Sequence, residues 1–237
     1  MLINWNEKSI GWFCDASEYT GFNKKLSRLL LQYMERRDSL CDLGCGPGLI
    51  DIALAPFIGH ITCVDNDAFA VGAARGQALS YGFDNISAVL GDAEKLQGSW
   101  QNVIAVFHGT PALYAGKYSS LASDVFLSVI KTSNTGRIGP EEYRVRKHFN
   151  SDNIAAELDS LGVKYTLTPH SLEYGQPFRS RRDAKDFVRA YTMNPPEEAV
   201  EDYLAENLTR TGRYDFPFYL PNEKEFTILA IRRDENG

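Results

Sequence analysis

Several things are scarce in this chain, and each scarcity removes a class of protein. No apolar run approaches the roughly 18 residues needed to span a bilayer, so no transmembrane helix is expected. The opening, MLINWNEKSI, lacks the basic-then-apolar order of a secretory signal. Cysteine is sparse, with four in 237 residues and no Cys-x-x-Cys pair. Cys14, Cys41, Cys45 and Cys63 are read as reduced thiols of a cytoplasmic protein, acting as small apolar residues. A soft-metal or arsenic thiolate site would require them to converge in space, and no metal is expected. Positive charge is in deficit, 25 Lys and Arg against 31 Asp and Glu, for a net charge of −6. A large nucleic-acid footprint usually shows as a basic domain, so nucleic acid is disfavoured as a partner. Low-complexity tracts and internal repeats are missing too.

What remains is 43% hydrophobic and 12% aromatic, enough for a sizeable core. Apolar runs predict strands at 39–43, 60–65, 85–90, 102–107, 124–131, 163–174 and 225–233. Helical spacing predicts helices at about 22–37, 47–56, 68–80, 116–123, 152–161, 181–192 and 197–209. Asp67 can cap the third of these and Gly82 close it. Residues 1–20, with Trp5, Trp12, Phe13 and Tyr19, read as irregular. Strands alternating with helices at this interval mean an α/β chain, with a doubly wound, mostly parallel, seven-stranded sheet. The helical pair falls between the last two strands. One domain over 1–237 is expected, with an N-terminal cap and helix at 1–38, a ligand-binding core at 39–131 and a lid or substrate-side insertion at 175–222.

The most telling stretch is LCDLGCGPG, Leu40 to Gly48. A short apolar strand ends on an acid, Asp42, and glycines follow at every second position, Gly44, Gly46 and Gly48. Glycines there leave bare backbone for a ligand at the carboxyl end of a sheet, where open α/β sheets bind. A dinucleotide site asks for Gly-x-Gly-x-x-Gly, whereas here the third glycine comes one position early and Leu49 and Ile50 follow it. The carboxylate before the loop is a poor neighbour for pyrophosphate and a good one for an ammonium or sulfonium group. Two further acids recur at predicted strand ends, Asp65 in VDND and Asp92 in GDAEKL.

This three-part arrangement over 39–131 resembles the class I S-adenosylmethionine-dependent methyltransferases. The resemblance implies their Rossmann-like fold, S-adenosylmethionine as cofactor, and methyl transfer as activity. It implies that Gly44, Cys45, Gly46 and Gly48 touch the methionine moiety and that Asp42 positions its amine. Asp65 would accept from the ribose hydroxyls, with Asn66 beside it. Asp92 and Ala93 would meet the adenine, Phe107 would line the pocket, and Tyr19 of the leader would reach the methionine carboxylate.

The acceptor normally lies beyond the fourth strand, here FHGTPALY, 107–114. This is not the Asn/Asp-Pro-Pro-aromatic motif of amide and nucleobase amino methyltransferases. His108 is the imidazole expected at the pocket rim, a candidate general base. His60, His148 and His170 are expected to be structural or superficial. The stretch 177–189 holds Arg179, Arg181, Arg182, Lys185 and Arg189 against Asp183 and Asp186. It could draw an anionic acceptor, or it could be a solvated helix face laced with ion pairs. The expected partner is a small-molecule methyl acceptor. Alternatives are a protein that binds S-adenosylmethionine without chemistry, and an RNA or protein methyltransferase.

Overall fold

The computed structural model describes residues 5–132, 138–144 and 151–233. Among these residues ten strands form two sheets. They are β1 (Ser39–Leu43), β2 (His60–Asp65), β3 (Ile86–Leu90), β4 (Trp100–Val106), β5 (Ala122–Lys131), β6 (Thr166–Glu173), β7 (Gln176–Phe178), β8 (Thr209–Arg210), β9 (Phe218–Leu220) and β10 (Glu223–Arg232). The large sheet has seven strands in the order β3-β2-β1-β4-β5-β10-β6. Within it β10 is antiparallel to both of its neighbours and the other pairings are parallel. The expected mostly parallel, seven-stranded, doubly wound architecture is therefore present.

Both faces of the sheet are covered, which is why β1 and β4 read as unbroken apolar runs rather than alternating ones. One face packs Leu40, Ile61, Cys63 and Ile104 against α2 (Phe22–Leu30) and α3 (Leu49–Leu54). The other packs Leu43, Val103 and Phe126 against Tyr114, Tyr118 and α6 (Ser151–Ser160). Helix α4 (Ala68–Tyr81) begins and ends as the sequence predicts. Asp67 accepts from the Phe69 and Ala70 amides at 2.8 and 3.0 Å, and Gly82 closes it at φ 72°.

Three expectations need correction. The leader is not irregular: Glu7–Thr20 is a helix, α1, opened by a reciprocal cap in which Asn6 accepts from the Ser9 amide. Its aromatic residues hide a helix with an apolar face on the insertion. Helix α2 stops at Leu30, not at 37, because the chain must turn into β1; Arg37 donates to the Leu31 and Met34 carbonyls that the ending leaves open. The helix expected at 116–123 begins earlier, as α5 (Pro111–Leu113), and continues as a π turn over Tyr114–Tyr118. Thr110 caps it with Pro111 in the first turn, and Ala122 already belongs to β5.

The helical insertion between β6 and β10 is present as α7 (Arg181–Ala190) and α8 (Glu197–Asn207). A three-stranded sheet, β7-β9-β8, accompanies it. Trp12, Phe178, Phe187, Val200 and Leu204 give this region a core of its own, so α1 docks on the insertion as well as on the main body. The basic stretch is engaged by acids. Arg181 meets Glu201, Lys185 meets Glu197 and Glu201, Arg189 meets Glu197 and Asp186, and Arg179 meets Asp15 of α1. The expected pairing within the helix is present as Arg189–Asp186, and the other acids come from α8 and α1 instead. Among the described residues no helix is long and apolar enough to cross a membrane.

Candidate active site

The carboxyl tips of β1, β2 and β3 meet at one edge of the sheet. The loop after β1 takes left-handed turns at Gly44 (φ 75°), Gly46 (φ 56°) and Gly48 (φ 75°), which side chains rarely tolerate. The amides of Gly44 and Cys45 both donate to the Val64 carbonyl at 2.8 and 3.1 Å, fastening the loop to β2. Asp65, at the β2 tip, accepts from the Gly46 amide at 2.8 Å and from the Asp67 amide at 2.9 Å. Both carboxylate oxygens are thus fixed in direction while keeping further lone pairs. Asn66 beside it is exposed.

Asp92 follows β3 and is exposed. It accepts from the Glu94 amide at 3.0 Å and pairs with Lys95 at 3.2 Å, and these contacts hold its carboxyl below the usual range. Ala93 behind it is buried. The structure thus brings Gly44, Cys45, Gly46, Gly48, Asp65, Asp92 and Ala93 to the carboxyl end of the sheet.

Asp42 is placed differently from the other two acids. It is 1% exposed, beneath the loop rather than on it, and apart from Asp51 neither of its oxygens has a hydrogen-bond partner among the described residues. Asp51, in the first turn of α3, is fully buried beside it and has no partner among the described side chains beyond Asp42 and Cys63. Burial raises both carboxyls, Asp51 to about 7; the Asp51 charge raises Asp42 further, while the Cys63 thiol and the Asp42 carboxyl partly offset the effect of burial on Asp51. Asp51 escaped sequence reading because an acid in the first turn of a helix looks like routine dipole matching.

His108 follows a kink. Phe107, at the end of β4, has φ 56°, a left-handed conformation that costs a non-glycine residue of order 1–3 kcal/mol. The kink folds the imidazole back over the loop, so close that a Cβ on Gly44 would lie 2.5 Å from the ring. Its Nε2 is 3.0 Å from Tyr118 Oη, and the Tyr114 hydroxyl donates to the His108 carbonyl at 2.9 Å. Burial lowers the His108 pKa, against the opposing pull of Asp65 and Glu94. The Phe107 ring packs edge-on against Phe226, with the Lys224 ammonium 3.9 Å from its centre.

The leader does reach the loop, but through Trp5, whose ring would lie 3.0 Å from a Cβ on Gly46. Tyr19 instead stacks on Tyr219 at 4.8 Å and meets Phe216 edge-on, within the small sheet and its loop. The structure does not bring Tyr19 together with the glycine loop. His60 opens β2 and is exposed, and His170 stacks on Phe226. His148 lies outside the described residues.

Residues 35–132, the stretch containing this constellation, match a family model described as a methyltransferase domain. The match covers less than half of the chain, and over that stretch the chain is similar to methyltransferase domains. No curated protein matches the sequence. Solved structures share the fold of this chain at low identity. The YcgJ protein of Bacillus subtilis is 18% identical, covers 88% of this chain and 98% of its own, and has a TM-score of 0.58. A methyltransferase described as putative, from Bacillus halodurans C-125, is 15% identical over 87% of this chain and 97% of its own, with a TM-score of 0.54. A structure described under the conversion of a disulfide bond into a thioacetal group during echinomycin biosynthesis is 15% identical, covers 90% of this chain and 82% of its own, and has a TM-score of 0.55.

Proposed function

We propose that this chain is a methyltransferase acting on a small-molecule acceptor held between the β4 tip and the insertion, with its cofactor along the tips of β1, β2 and β3. The observation that carries the reading is the meeting of Asp65 and Asp92 with a loop of three left-handed glycines at one sheet edge. The residues present fit S-adenosylmethionine. Asp65 has lone pairs left for two ribose hydroxyls, and Asp92 and Ala93 stand where adenine would end. When bound, that cofactor supplies an electrophilic methyl on a sulfonium.

The chain's own contribution is alignment, exclusion of water and proton removal. Trp5 and α1 cover the loop, and α1 is fastened to the insertion by a hydrogen bond from Trp12 Nε1 to Asp183 at 2.9 Å and by ion pairs of Lys8 with Asp186 and Asp15 with Arg179. A crevice roofed in this way suits a small acceptor better than a polymer. The pairing of the basic stretch removes the support for an anionic acceptor. With its proton on Nε2 and donated to Tyr118 Oη, His108 has Nδ1 available as acceptor on the side facing the loop. The Tyr118 phenol, pushed up to about 12 by burial, keeps its own proton. His108 therefore takes a proton from the acceptor at Nδ1.

Calorimetric titration with S-adenosylmethionine tests the reading. One site per chain is expected, and wild-type protein that takes up no nucleoside contradicts it. Methyl transfer to a panel of phenols, thiols, amines and carboxylic acids then separates catalysis from binding alone.

A further inference from the structure

Beneath the glycine loop lies a cluster that methyl transfer does not use. Cys45 comes from the loop, Cys63 from β2 and Asp51 from the first turn of α3, and their ligating atoms all lie within 4.8 Å of one another. All three side chains are buried, Cys45 at 8% exposure and the other two at 0%. Asp42 adjoins them. The β1–β2 register pairs Asp42 with Cys63, so both point to the same face of the sheet, and Asp42 lies within interaction distance of Asp51. The two carboxylates carry four buried oxygens, and apart from each other and the Cys63 thiol they have no hydrogen-bond partner among the described residues.

Buried carboxylates are normally paired, hydrogen-bonded or bound to metal, because an unpaired charge in a dry interior is strongly disfavoured. No Lys, Arg or His is paired with either of these two acids among the described residues. The partners at hand are thiols, which are soft ligands once deprotonated. Two sulfurs with one carboxylate, and a second carboxylate alongside, match the donor set of a tetrahedral site for zinc-class ions. They do not match the all-oxygen shell of magnesium or calcium. Cys14 and Cys41 stand outside the cluster.

We propose that Cys45, Cys63 and Asp51 bind a thiophilic divalent cation of the zinc class, with Asp42 as fourth ligand or as its supporting neighbour. Binding exchanges the two thiol protons, and any proton held by the carboxylates, for one dication, with no change of oxidation state. The ion would tie the loop, β2 and α3 at one point and hold Gly44 and Gly46 from below. The proposal does not depend on the cofactor reading, since its ligands are beneath the loop and not on the ligand-facing side.

The test uses the full chain, without a histidine tag and without nucleoside. Chelator-treated protein is titrated with cobalt(II) and with zinc, following sulfur-to-cobalt charge-transfer absorption, and metal content is measured after gel filtration. One ion per chain with a thiolate band is expected. Cys63→Ser and Asp51→Asn should lose the band, Asp42→Asn should weaken binding about tenfold or more, and Cys14→Ser should change nothing. A wild-type protein that takes up no stoichiometric cobalt or zinc overturns the proposal. So does a thiolate band that survives in Cys63→Ser, or peptide mapping that finds Cys45 and Cys63 joined as a disulfide. If Cys63→Ser fails to fold, protection of Cys45 in the wild type from alkylation by zinc, and not by magnesium, gives the same decision.

Discussion

Single positions decide how the crevice is shaped. Gly44 is held by two constraints at once, a φ of 75° and the His108 ring where its Cβ would be. Gly44→Ala should therefore destabilise the chain by about 1–2 kcal/mol from backbone strain alone and push the imidazole off the loop. Thermal unfolding with and without S-adenosylhomocysteine checks both effects, and an unchanged melting temperature would show that the loop relaxes freely. Asp65 is the residue whose loss should hurt cofactor affinity most. Two charge-assisted hydrogen bonds of about 1.5–3 kcal/mol each are at stake, so Asp65→Ala should weaken S-adenosylmethionine binding by at least about tenfold.

His108 gives a pH prediction with a definite sign. Burial favours its neutral form, so its pKa lies below the 6.5 of an ordinary imidazole. As a base it is competent only when neutral, so methyl transfer should rise with pH through an inflection below 6.5 and then level off. Protonated, it would also place a cation beside a sulfonium, so nucleoside affinity should fall over the same acidic range. His108→Gln should remove the inflection; an inflection that persists there would assign the titration to another group.

At the scale of elements, α1 connects the insertion to the loop. Its contacts with α7 and β7 are of two kinds. The ion pairs Lys8–Asp186 and Asp15–Arg179 involve at least one well-exposed partner each and contribute at most about 1 kcal/mol apiece. The aromatic contact of Trp12 with Phe187, centroids 5.1 Å apart in a buried cluster, is the stronger tie. Phe187→Ala should cost about 3–5 kcal/mol locally. Hydrogen exchange should quicken in α1 and α7 together, while β1 and β4 stay protected; exchange confined to α7 would separate the two helices.

Elements also differ in how plainly the sequence announces them. β1, β2, β4 and α4 carry continuous apolar runs or paired caps, and each was visible from those signals alone. The small sheet was not, because Gln176–Phe178, Thr209–Arg210 and Phe218–Leu220 are too short to show a period of two. α1 was hidden for another reason. Its aromatics drew attention from the Asn6-x-x-Ser9 cap, which was the available signal. In the site, residues tied to a strand end or the glycine loop were legible. Asp51, Trp5 and Tyr118 were not, since each matters through a contact distant in sequence: Asp51 with Cys63, Trp5 with Gly46, Tyr118 with Gly44's neighbour His108.

Seen whole, the molecule sets a mostly parallel sheet with cores on both faces beside an insertion with a separate core, and its helical leader packs on the insertion and covers the glycine loop. The surface ion pairs concentrate in the insertion and on α1, and the buried acids concentrate beneath the loop. The most direct measurement is a crystal structure with S-adenosylhomocysteine. The nucleoside should lie across the tips of β1, β2 and β3, with both ribose hydroxyls within about 3.2 Å of Asp65, and with the His108 and Trp5 rings moved off the loop or packed against the ligand. A nucleoside bound elsewhere, with His108 still seated on Gly44 and Asp65 bonded only to the Gly46 and Asp67 amides, would contradict the account.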